Sequence, residues 1–276
     1  MAVSVRRQAF FLDSPRGPLF CVHTAPDGAA LGRILYAPPF AEEMNKSRRM
    51  ASLAARAFAL KGWSVLQVDL CGTGDSAGDF ADTAWMDWIE DLAIAWQWLE
   101  DQADGRPVVW SLRAGSLLAA ELVRRLDERP MILLWQPVFN GRQHLTQFLR
   151  LKGANEMLAE ADAGAAISAA REALNAGRSV EVAGYEVGSS MAQGLEAAVF
   201  SLPPAYSSAV RVFELAPGQR AELSPGLANQ LRRLSEAGVS AYGELVPGAP
   251  FWGTQEIEEV PELIQRSVAV LEGWLA

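Results

Sequence analysis

The segment Ser111-Leu112-Arg113-Ala114-Gly115 follows the apolar run Val108-Val109-Trp110 and precedes Ser116-Leu117-Leu118-Ala119-Ala120. That is the order of a strand, a sharp turn and a helix. A turn of this kind presents its apex residue as a nucleophile, and it needs small residues two before and two after the apex. Ser111 and Gly115 are small, so the apex is Arg113. A guanidinium stays protonated at ordinary pH and cannot attack an acyl group. The segment best spaced for acyl transfer therefore argues against it. Taking Ser111 as the apex would put Val109 and Arg113 at the flanking positions, and taking Ser116 would put Ala114 and Leu118 there. Neither leaves room for the turn, and a plain buried strand running into a helix would give a similar string.

Other reactive groups are sparse. A thiolate at Cys71 would need a basic neighbour to lower its pKa; none is adjacent, and a small buried cysteine is the commoner case. The carboxylates Glu42, Glu43, Asp69 and Asp75 could act as general acid and base if two of them converged. No His, Cys and Asp cluster has metal-ligand spacing, and neither a metal nor a cofactor is expected. The two histidines, His23 and His144, fall in the opening strands and after the strand Met131 to Trp135.

The bulk properties narrow the classes. A chain of 276 residues that is 50% hydrophobic, with nine tryptophans, can bury a sizeable core as one α/β domain with an insertion, or at most two domains. A net charge of -9 disfavours a nucleic-acid partner, because phosphate binding needs clustered Lys and Arg. The basic cluster Lys46 to Arg49 is short. Ala9-Phe10-Phe11-Leu12 is too short for a signal peptide, and no segment is long enough to cross a bilayer. Cys21 and Cys71 make no disulfide framework, so both are expected as reduced thiols in a cytoplasmic protein.

The elements that must position these groups read as follows. Ala9 to Leu12 and Leu19 to Val22 flank Ser14-Pro15-Arg16-Gly17, an antiparallel hairpin. Ile34 to Ala37 is a strand, and a loop then runs to a helix with Met50, Leu53, Ala54, Ala57 and Leu60 at helical spacing. Trp63 to Val68 is a strand, and Trp85, Trp88, Ile89, Leu92, Ala95, Trp96 and Leu99 mark a helix whose tryptophans read as core. Val108 to Ser111, Ala114 to Leu126 and Met131 to Trp135 continue the alternation. Residues 140–204 break it with Ala-rich helical stretches such as Ala161 to Ala176, interrupted only by the strand-like Val180-Glu181-Val182, and are expected to form a helical cap. Alternation resumes at Val210 to Leu215, a helix near Pro225 to Ala237, a strand at Val239 to Val246, and a closing helix. This order predicts a mainly parallel sheet with helices on both faces, built from 1–139 and 205–276.

In this order, Asp69-Leu70-Cys71-Gly72-Thr73-Gly74-Asp75-Ser76-Ala77-Gly78 resembles the D-x-x-G-x-G-x-S turn of many α/β-hydrolases. With the loop Tyr36 to Arg49, the chain resembles the group named exosortase A system-associated hydrolase 2. The resemblance implies an α/β-hydrolase fold and an association with bacterial exopolysaccharide production and protein sorting to the envelope. It also implies oxyanion donors at the backbone N–H of Phe40 or Ala41 and of Ala114. The triad positions it implies are degenerate. Pro250 stands where the histidine is expected, and the acid loop Gly218-Gln219-Arg220-Ala221-Glu222 offers only Glu222.

Arg113 at the start of a helix faces the positive end of the dipole, which disfavours it by about 0.3–1 kcal/mol. An unpaired buried charge would cost several kcal/mol more. Arg113 therefore needs an anion, and Glu42 and Glu43, on the loop that crosses the elbow in such a fold, are the internal candidates. Three readings follow. An Arg113–carboxylate pair plugs the site and leaves a scaffold or partner-binding protein; Arg113 and the backbone donors receive a small anionic ligand; or unconventional groups carry out hydrolysis.

Overall fold

A computed structural model describes residues 4–158, 163–218 and 220–275, the side chains of 153–163 excepted. The first residues of the expected stretch Ala161 to Ala176, and Gln219 of the acid loop, lie outside the described residues. The chain opens with β1 (Val5–Leu12) and β2 (Leu19–Pro26), an antiparallel hairpin in which Leu12 pairs with Leu19. Next come β3 (Gly32–Ala37), α1 (Glu42–Ala59), β4 (Trp63–Val68), α2 (Trp85–Gln102), β5 (Arg106–Leu112), α3 (Gly115–Arg125) and β6 (Met131–Trp135). Then follow α4 (Gly141–Leu158), α5 (Ala163–Asn175), β7 (Val180–Val182), β8 (Tyr185–Val187) and α6 (Ser189–Ala197). The chain closes with β9 (Val210–Ala216), α7 (Pro225–Glu236), β10 (Ala241–Pro247) and α8 (Pro261–Leu275).

Eight strands form one sheet in the order β1-β2-β4-β3-β5-β6-β9-β10. Only the pairings of β2 with β1 and β4 are antiparallel. The parallel strands β3, β5 and β6 are buried on both faces over Ile34–Ala37, Val108–Leu112 and Met131–Trp135, mostly apolar residues, as crossover helices require. One face packs on α2 and α3 through Trp88, Trp96 and Leu118; the other packs on α1 and α8 through Phe58, Trp110 and Leu271. Among the described residues no helix is long and apolar enough to cross a membrane.

Two expectations need correction. The helix after β3 begins at Glu42, not near Met50. Its first two turns expose Asn45, Arg48 and Arg49 and bury Glu43 and Ser47, so the apolar period there is broken by polar residues, and the segment reads as loop. Two glutamates in the first turn suit the helix dipole. Second, Val180–Val182 is not a lone strand but pairs with Tyr185–Val187. Ala183 at φ 52° and Gly184 at φ 81° make the two-residue turn that a tight hairpin demands.

Candidate ligand site at the strand-helix elbow

The turn between β5 and α3 has the sharp geometry its flanking residues foretell. Arg113 lies at φ 53°, a left-handed conformation that costs a non-glycine residue about 1–2 kcal/mol. A Cβ at Gly115 would lie 2.2 Å from the Ala37 carbonyl oxygen, so no larger residue fits two places after the apex. Hydrogen bonds hold the strained apex: Arg113 N donates to Trp135 O at 3.0 Å, and Val138 N donates to Arg113 O at 3.2 Å. Ser116 Oγ sits 2.8 Å from Arg113 O and 2.6 Å from Val138 O and accepts from Val138 N at 3.0 Å. Its hydroxyl is thus a clamp on the turn. Ser111 is fully buried, and its Oγ has no hydrogen-bond partner among the described residues.

The Arg113 guanidinium meets a carboxylate on one side. Its Nε donates to Glu43 Oε1 at 2.9 Å. Glu43 belongs to the first turn of α1, not to a loop, and is 8% exposed. Burial outweighs the attraction of Arg113 and pushes the Glu43 carboxyl up to about 7; its Oε2 has no partner among the described residues. Burial also raises Glu42, against its own backbone N–H and the charges of Lys46 and Arg113. The guanidinium lies over the Trp252 ring, 5.3 Å from its centre. Among the described residues nothing hydrogen-bonds Arg113 Nη1 or Nη2.

Arg113 lines a cavity of about 510 Å³ between α4 and α7, together with the Gln136–Phe139 segment. His144 lines it and is 4% exposed. Burial, helped by the charge of Arg113, pushes the His144 imidazole down to about 3, so it is neutral, and its Nδ1 has no partner among the described residues. Glu214, at the end of β9, lines the same cavity; its Oε2 accepts from Ser224 N and pairs with Arg220 Nη2, each at 2.7 Å.

Of the residues singled out in the sequence, Arg113 and Glu43 meet, with Glu42 adjacent in the same helical turn. Phe40, Ala41, Glu42, Glu43 and Ala114 do not line the Arg113 cavity. Phe40 is 1% exposed and packs edge-on against Phe80 and Phe148, with His144 at 6.0 Å. Ala41, at φ 49°, and Ala114 are about as buried as Phe40. Glu222 and Pro250 are exposed. The loop after β10 reaches the apex through Trp252 instead of Pro250. His23 stays in the opening hairpin, 2.7 Å from Ser64 Oγ.

The remaining carboxylates and thiols do not converge on the elbow. Asp69 Oδ2 accepts from Arg48 and from the backbone N–H of the exposed Asp75, holding the glycine turn closed. A Cβ at Gly74 would strike that carboxylate at 1.9 Å. Cys71 is buried, and burial and Asp91 push its thiol up to about 11; Cys21 is buried too. Among the described residues no group of three His, Cys, Asp or Glu side chains could hold a metal.

Residues missed in the sequence are Trp252, Glu214 and the polar face of α4. Glu214 carries a readable signal. It shares a face of β9 with Val210, Val212 and Ala216, so the strand period buries it.

Solved structures match this arrangement along its length. Est1E of Butyrivibrio proteoclasticus, solved with ferulic acid bound, superposes with a TM-score of 0.65 at 12% identity, over 97% of this chain and 99% of its own. The fold is that of the α/β-hydrolases. A protein of unknown function from Agrobacterium tumefaciens, put forward as an α/β hydrolase, gives 0.60 at 15% identity, over 97% and 96%. A hyperthermophilic esterase from Pyrobaculum calidifontis gives 0.64 at 17% identity, over 98% and 86%. At such identities the α/β-hydrolase likeness is one of fold alone. No family model and no curated protein matches the chain.

Proposed function

We propose that this α/β-hydrolase-fold chain is a binding protein without serine-triad hydrolysis, and that the outer edge of Arg113 receives an anionic group from a small ligand. The observation that carries the reading is the Arg113–Glu43 pair at the elbow apex. The pair engages Nε of a planar guanidinium that lines the cavity and leaves both Nη groups without a hydrogen-bond partner among the described residues. Two free Nη groups on one planar fork suit bidentate recognition of a carboxylate or phosphate. The absence of an acid-oriented histidine at the apex supports it: His144 is neutral with an unpartnered Nδ1, and Trp252 occupies the approach from the loop after β10. The segments 140–204 serve in this reading as a cap over the core. The resemblance carried by the glycine turn and the Tyr36 to Arg49 loop implies a setting in bacterial exopolysaccharide and exosortase systems; the two free cysteines suit a cytoplasmic location.

Because structural neighbours include esterases, ester turnover is the test. The purified protein is expected to leave short and long acyl esters at their uncatalysed rate and to take up no serine-directed fluorophosphonate. Clear turnover, or stoichiometric labelling, would mean that unconventional groups run a hydrolase.

A further inference from the structure

The cavity beside Arg113 is furnished with an array that a simple anion would not use. Asn140, Gln143, His144 and Gln147 recur at intervals of three and four along α4 and its first cap, so they form one stripe facing the cavity. Asn140 Oδ1 accepts from Gln143 N at 3.0 Å, which leaves its amide nitrogen available. Across the cleft, α7 contributes Gln230 and Arg233 from the same face. From below, Gln136 spends its Oε1 on Leu215 N at 2.7 Å and keeps its amide nitrogen. Among the described residues, the side chains of Gln143, Gln147, Gln230 and Arg233 have no hydrogen-bond partner in the protein. The one carboxylate in the cleft, Glu214, is already met by Arg220 and Ser224 N.

Carboxamides present donors and acceptors together. An acyl chain entering here would strip water from them and offer nothing in return, and a bare anion has acceptors only. Ligand hydroxyls both donate and accept, which matches the array. Phe139 and Phe200, edge to face at 5.4 Å, give the cleft an apolar wall for the C–H face of a ring. The volume falls within the range of about 300–1,000 Å³ common to small-molecule sites. We propose that this cleft binds a polyhydroxylated anion, a sugar bearing a carboxylate or a phosphate, with Arg113 and Arg233 meeting the charge and the carboxamides meeting the hydroxyls. The inference rests on the reading of Arg113 as a binding group.

Titration calorimetry of the full chain with glucuronate, glucose 6-phosphate, glucose, acetate and inorganic phosphate tests it. One or both sugar anions are expected to bind about tenfold more tightly than acetate or phosphate, and which of the two wins names the charged group. Gln143→Leu with Gln147→Leu, both at exposed positions, should erase that advantage; Arg233→Met, also exposed, should weaken the sugar anions about tenfold. Absence of binding by both sugar anions, equal binding of acetate or phosphate, or variants that bind like the parent would each overturn the proposal. Ester turnover in the same preparation would instead defeat the non-hydrolytic reading, and the titrations would still decide what the cleft takes.

Discussion

The two flanks of Arg113 are built from opposite materials. On the Glu43 side the guanidinium meets a buried carboxylate in the first turn of α1, where the Glu43 backbone N–H donates to the carbonyl of the buried Phe40. On the α4–α7 side it meets an open cleft of carboxamides. A dry flank tolerates a charge only beside its opposite, whereas a wet flank can exchange water for a ligand. The same side chain is thus anchored on one side and available on the other. The elbow geometry accompanies either use, since the strained apex is held by backbone bonds and by Ser116 rather than by any nucleophile.

The largest effect should come from breaking the dry flank. Phe40→Ala leaves a void among rings that are almost fully buried and is expected to cost about 3–5 kcal/mol in denaturant unfolding. Ligand binding in the cleft, measured at a temperature where the variant is still folded, should change far less. Equal loss on both sides would erase the distinction between the flanks.

Next comes Arg113→Met, which strands Glu43. The Glu43 carboxyl already sits at about 7 in the fold, above its ordinary 4.5, because burial disfavours its charge. A raised carboxyl means that the folded state holds more protons than the unfolded one between those two values. This group therefore favours folding more as pH falls from about 7 toward 4.5. Removing Arg113 raises the carboxyl further, so the variant should lose about 3 kcal/mol near pH 9, where it must either bury a bare charge or hold a proton that the parent has released, and much less near pH 5, where both hold it. Unfolding curves at the two pH values check it; a loss that does not depend on pH would mean that the pair contributes no electrostatic stability.

The smallest effect sharpens the comparison. Glu43→Gln removes the competing charge from the dry flank without removing the side chain. Anion binding in the cleft should tighten about threefold above pH 7 and stay unchanged near pH 5, where Glu43 is already protonated. Calorimetric titration at both pH values measures it.

Much of the fold is legible in the residues. Trp63 to Val68 and Met131 to Trp135 are apolar runs between breakers, and both are strands at those bounds. The elbow is legible because only Ser111 and Gly115 have the right sizes around a central residue. The start of α1 is not, because Glu43 and Ser47 are polar residues on its buried face, and burial there depends on tertiary partners such as Arg113. The α4–α7 cleft is hidden for a similar reason. Gln143 and Gln147 have helical spacing, yet a polar stripe reads as a solvated face until a second helix is seen opposite it. Trp252 reaches Arg113 through a loop whose path no periodicity encodes.

The most direct test of the central claim is Arg113→Ser, which puts a hydroxyl at the apex of an intact elbow. Serine needs an oriented base to become a nucleophile, and here the Nδ1 of His144 has no hydrogen-bond partner among the described residues to orient the ring. The variant is expected to show no ester turnover above the uncatalysed rate and no fluorophosphonate label on Ser at that position. Stoichiometric labelling with brisk turnover would contradict the account, because a working base and oxyanion site would then have to be present.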